Sequence, residues 1–248
     1  MDDLAELCAT PQCATLSLGY NCFGKRFIQR ALHIDQPTHM FDYIGSSMWA
    51  IVKLLQSDFD GIDDEHAYRR LQTIGKRHMI THARYYLRFA HDFGHKEHRS
   101  GASAARIAEC VQRYTRRAMR FRETLANCTT LVLLRFEERN IEKHANKEMC
   151  DAALERSEVE HIGAVRQILF SRYQNLRRIT VVLFSHTADA YDTQLAKEQD
   201  IHVVPCASNK RHEIEWHTCP QQLASVVKKH IPKGAFGTDT APPNSCDK

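Results

Sequence analysis

The chain has 248 residues, 43% of them apolar, which is enough for a core of its own and fits one large domain. Its formal charge of +4 is mild and calls for no nucleic-acid partner, although 15 histidines make the real charge vary with pH near neutrality. No run approaches the roughly 18 apolar residues of a membrane span, and the opening Met1-Asp-Asp-Leu-Ala-Glu6 is acidic where a signal peptide is basic, so a soluble, cytoplasmic protein is expected.

The first strand-like run is Ala14–Leu18. Cys22 follows it and opens a helix predicted over Phe23–Leu32, a placement that suits a reactive thiol. Backbone N–H groups and the positive end of the helix dipole face the sulfur there and favour thiolate over thiol. Gly19 permits a tight strand-to-helix turn beside a substrate, and Asn21 is placed to donate to a developing oxyanion. The alternative is a small, inert, buried cysteine closing the turn.

A long helical insert over about 23–127 is predicted next, continuing with Ser47–Gln56 and ending in Ser103–Ala126. In that last helix Ile107, Val111, Tyr114, Ala118, Phe121 and Leu125 fall on one stripe, while Arg106, Arg113, Arg116, Arg117 and Arg120 occupy other faces. A solvated basic face is the simpler reading of the arginines, a surface for an acidic partner the other.

Apolar, β-branched runs then recur at Thr130–Leu134, Ile179–Phe184 and Ile201–Val204. Helices are predicted between and after them, ending near Asn175, at Tyr191–Gln199 and at Pro220–His230. Continuous apolar runs separated by helices mark parallel strands buried on both faces. The expected fold is α/β, a mainly parallel, doubly wound sheet of Rossmann or SGNH type with helices on both faces. Residues 1–232 read as the single domain and 233–248 as a disordered tail.

Cysteines at 8, 13, 22, 110, 128, 150, 206, 219 and 246 are odd in number and lack a CxxC pair, which suits reduced thiols. Neither His91, His95 and His98 nor Cys206, His212, His217 and Cys219 has the paired spacing of a zinc finger. No glycine-rich nucleotide fingerprint occurs either, so no metal or cofactor is expected.

Five segments occur in one order: Ser17-Leu-Gly-Tyr-Asn-Cys22, Thr38-His-Met-Phe-Asp-Tyr-Ile-Gly-Ser-Ser47, Asp58-Phe59, His91-Asp-Phe93 and Leu131-Val-Leu-Leu-Arg135. Together they resemble a family labelled papain-like cysteine peptidases, the domain of unknown function 1796, over about residues 14–140. Tyr43 stands where that family usually has Trp, which preserves an aromatic body. The resemblance implies Cys22 as nucleophile with His91 as its ion-pair partner and proton shuttle, oriented by Asp92 or by Asp42. Papain itself carries its histidine on an antiparallel sheet. With a parallel sheet expected here, the label describes a residue pairing more than a fold.

Arg135 ends the second core strand, on the edge where parallel sheets place their ligands. There it would clamp a substrate carboxylate or phosphate, or pair with Glu137 or Glu138. His186 lies just past the third core strand and is a second candidate base. The reading is a Cys–His hydrolase or acyl transferase acting on a peptide or on an acyl- or sugar-bearing substrate. The alternatives are a glycosyl or other group transferase, or a non-catalytic interaction protein in which Cys22 is structural.

Overall fold

A computed structural model describes residues 12–19, 22–72, 78–137, 156–185 and 193–206. In chain order the elements are β1 (Cys13–Ser17), α1 (Phe23–Arg30), α2 (Met48–Gln56), a 3-10 turn (Glu65–Ala67), β2 (Tyr68–Gln72), β3 (His78–His82), α3 (His95–Ser100), α4 (Ala104–Asn127), β4 (Thr130–Phe136), α5 (Glu158–Arg172), β5 (Arg178–Ser185), α6 (Thr193–Glu198) and β6 (Ile201–Pro205). Strands β1, β4, β5 and β6 form one sheet in that spatial order, every neighbouring pair parallel.

Strands buried on both faces need no polar side, which is why β4 and β5 read as unbroken apolar runs. Alternate side chains supply two cores. Leu131, Leu133, Val181 and Leu183 face the larger one, built with α2, α4 and α5. Val132, Leu134, Phe136, Val182 and Phe184 face the smaller, closed by Phe27 and Ile28 of α1. Phe136 and Phe184 stack there at 4.4 Å, with Phe27 edge-on to both. Among the described residues, no helix is long and apolar enough to cross a membrane.

Serines set the helix starts. Ser47 accepts from the Ala50 N–H and Ser103 from the Arg106 N–H, so the two predicted helices begin with their caps. Ser157 and Glu160 close a reciprocal capping box at the head of α5. The first helix is shorter than expected and stops at Arg30, before the left-handed turn at His33 (φ 58°).

The stretch between β1 and β4 is not all helical. β2 and β3 pair as an antiparallel hairpin, Tyr68 opposite His82 and Gln72 opposite His78. Its strands, Tyr-Arg-Arg-Leu-Gln and His-Met-Ile-Thr-His, carry too much charge and imidazole to read as strands from propensity. The predicted Pro220–His230 helix and the 233–248 tail lie outside the described residues.

Gly24, in the first turn of α1, sits against the end of β1. A Cβ there would lie 2.1 Å from Ser17 Oγ and 2.7 Å from Ser17 Cβ. Alanine gains about 1 kcal/mol of helix propensity over glycine, whereas overpacking costs about 1–3 kcal/mol. Gly24→Ala is therefore expected to lower the midpoint of urea unfolding, and a raised midpoint would contradict this packing.

Candidate functional site

Strand β1 gives way to a tight turn at the carboxyl edge of the sheet. Leu18 N–H still bonds Leu134 O at 2.8 Å, and Gly19 N–H then turns back onto Ser17 Oγ at 3.1 Å. Gly19 has φ +78°, and a Cβ on it would meet Ser46 Oγ at 2.3 Å and the carbonyl oxygens of Phe41 and Ile44 at 3.5 Å. Only glycine meets both demands, backbone and space. Cys22 is the N-cap of α1, as expected, with its side chain making no capping bond and 7% of it exposed. Asn21 lies outside the described residues, as does His186.

Arg135 shares this edge but not in the expected role. It is fully buried, with Nε and Nη2 on the Glu158 carboxylate at 3.1 and 2.9 Å. Its Nη1 donates to Leu18 O at 3.1 Å and Ser46 O at 3.0 Å. The guanidinium thus joins β1, β4, the Phe41–Ser46 segment and the head of α5, and no part of it is exposed to clamp a substrate. Its carboxylate partner here is Glu158, 23 residues along the chain, and Glu138 lies outside the described residues. Glu137 instead accepts the Ser185 hydroxyl at 2.5 Å.

His91 is exposed, its ring edge-on to Tyr43 at 6.3 Å. No hydrogen bond joins it to Cys22, and neither candidate carboxylate orients it. Asp92 turns inward, where its carboxylate accepts from Tyr114 Oη at 2.8 Å and from Arg113. Its carbonyl takes Arg106 Nη2 at 2.9 Å, so Asp92 pins the loop to α4. Asp42 is fully buried and accepts the His39 N–H at 2.7 Å, with Lys25 Nζ 3.8 Å away.

Sequence reading missed Lys25 and His39, which carry no motif of their own. Lys25, in the first turn of α1, is 1% exposed and donates to Gln36 O at 2.6 Å and Pro37 O at 3.1 Å. Burial pulls its ammonium below the ordinary lysine value, outweighing Asp42. Burial likewise pushes Asp42 up to about 6. His39 is held down to about 4, by burial first and then by the charges of Lys25 and Arg120. Among the described residues, His39 Nδ1, Asp42 Oδ1 and Ser46 Oγ are buried without a hydrogen-bond partner, so unsatisfied polar atoms gather along this one segment.

Burial holds three thiols in their neutral form. Burial raises Cys13 and Cys128 to about 11 and Cys110 to about 12. A cavity of about 340 Å³ lies at the start of β1, the opposite end of the strand from Gly19, lined by Cys13, Gln36, His39, Arg120 and Thr124 among others. Among the described residues, no three His, Cys, Asp or Glu side chains converge on a point where a metal could sit.

Comparison with protein-family models, with curated proteins and with solved structures finds no match to this chain.

The buried acid and imidazole pull stability in opposite directions. Asp42 rises from an ordinary 3.8 to about 6, so the native state holds a proton that the unfolded chain has lost, and stability falls as pH climbs through that window. His39 drops from 6.5 to about 4, so here the unfolded chain holds the extra proton and stability rises with pH. Each slope is about 1.4 kcal/mol per pH unit, and the two nearly cancel where they overlap. Between about pH 4 and pH 6, Asp42→Asn is expected to make stability rise more steeply than in the wild type, and His39→Gln less steeply. Urea unfolding across that range tests this, and parallel curves for all three proteins would contradict it.

Proposed function

We propose that the carboxyl edge around Cys22 is a thiol site for acyl transfer or hydrolysis. The observation that carries this reading is the position of Cys22 as N-cap of α1, beyond the carboxyl end of the parallel strand β1, where the helix dipole favours a thiolate. In this reading Cys22 Sγ attacks an acyl carbon and forms a thioester, and the leaving group departs with a proton from His91. Water or an acceptor then takes the acyl group and restores the thiol. The first-turn N–H groups and the Asn21 amide hold the oxyanion. His91 would reach the sulfur from beside Tyr43, which belongs to the segment packed on Gly19. The proposal takes the chain as a relative of the papain-like family, on a Rossmann- or SGNH-like sheet, in the cytoplasm.

One observation favours a second reading. Cys22 is 7% exposed and, among the described residues, has no imidazole on its sulfur, the environment of a thiol with a structural role. Timed iodoacetamide labelling near pH 7, read by mass spectrometry, separates the two. The thiol site predicts that Cys22 labels before Cys13, Cys110 and Cys128, and that His91→Ala slows it by about tenfold while the fold is retained. Labelling of Cys22 no faster than Cys110 would establish the structural role.

A further inference from the structure

Most arginines of α4 are engaged. Arg106 pairs with Glu97 and Glu109, Arg113 with Asp92, and Arg122 with Asp58, while Arg120 donates to Thr38 O. Arg117 differs. Its guanidinium lies over the Tyr114 ring at 4.7 Å and the Tyr43 ring at 5.6 Å, yet it makes no hydrogen bond or ion pair among the described residues. Its Nη1 is buried without an acceptor. The neighbouring carboxylates do not supply one: Asp92 is occupied by Arg113 and Tyr114, and Asp42 lies beyond ion-pair distance.

Contact with an aromatic face stabilises a guanidinium only modestly, and leaving a charged donor without an acceptor costs more than leaving a neutral one. The rings fix the plane of the guanidinium but leave its fork unanswered. A fork held in this way has already lost the side-chain freedom that anion capture would otherwise cost. On the edge of the same Tyr43 ring stands the exposed imidazole of His91, 6.3 Å between ring centroids. Two nitrogen donors therefore lie against one half-buried tyrosine.

We propose that Arg117 and His91, both against the Tyr43 ring, bind an oxyanion, the carboxylate or phosphate group of a ligand. That the anion belongs to a substrate of Cys22 rests on the thiol reading; the anion site itself does not. Arg117 and His91 each donate to the anion's oxygens, so a ligand with a terminal carboxylate or phosphate is selected over a neutral one.

Titrating the protein with inorganic phosphate and, separately, with acetate at constant ionic strength tests this, the His91 imidazole signals being followed by NMR. A saturable shift is expected, with phosphate the tighter ligand if the natural group is a phosphate and acetate at least as tight if it is a carboxylate. Arg117→Gln should weaken binding by about tenfold or more, Arg117→Lys should keep part of it, and Arg116→Gln should leave it unchanged. His91→Gln alters only an exposed ring, so its weaker phosphate binding by calorimetry supports the site even if Arg117→Gln fails to fold. No saturable shift in the wild type, or equal binding in folded Arg117→Gln and in His91→Gln, would overturn the proposal. Saturable binding in a protein whose Cys22 labels slowly would sink the thiol reading and leave the anion site standing.

Discussion

A buried guanidinium organises this molecule. Taking a charge out of water costs several kcal/mol even after relaxation, and Arg135 is compensated by Glu158, which meets it side-on, and by two carbonyl oxygens that accept from Nη1. Those carbonyls belong to Leu18, at the end of β1, and to Ser46, in the segment that presses on Gly19. Four stretches distant in sequence are thereby held in one register. Such a pair adds little net stability over well-packed apolar residues, but it leaves few other arrangements in which every donor is answered.

Beneath that clamp the structure keeps a second polar layer. Lys25, Asp42 and His39 are all nearly inaccessible, and the shifts of Lys25 and Asp42 both move toward the neutral form. The layer fastens the first turn of α1 to the Gln36–Asp42 stretch through main-chain oxygens rather than through a strong ion pair. It therefore fixes where Cys22 sits without lending it a base.

Much of the architecture was legible in the sequence, and the physical reason is periodicity. The strands β4 and β5 showed because burial on both faces leaves unbroken apolar runs, and α4 showed because its apolar residues recur on one helical stripe. The β2–β3 hairpin did not, since arginines and histidines hide its alternation. At the site, local signals were readable and long-range ones were not. Gly19 and Cys22 stand as expected because a strand-to-helix turn is a local matter. The partner of Arg135, the inward turn of Asp92 and the stacking of Arg117 on two tyrosines depend on which elements meet, and spacing along one chain does not encode that.

The account depends most on Arg135 and Glu158 acting as one unit, and a double-mutant cycle in urea measures that. Arg135→Met and Glu158→Met should each cost about 3–5 kcal/mol, because each leaves the other charge buried alone, while the double substitution should cost far less than their sum. Additive costs, or a negligible cost for Glu158→Met, would contradict the clamp.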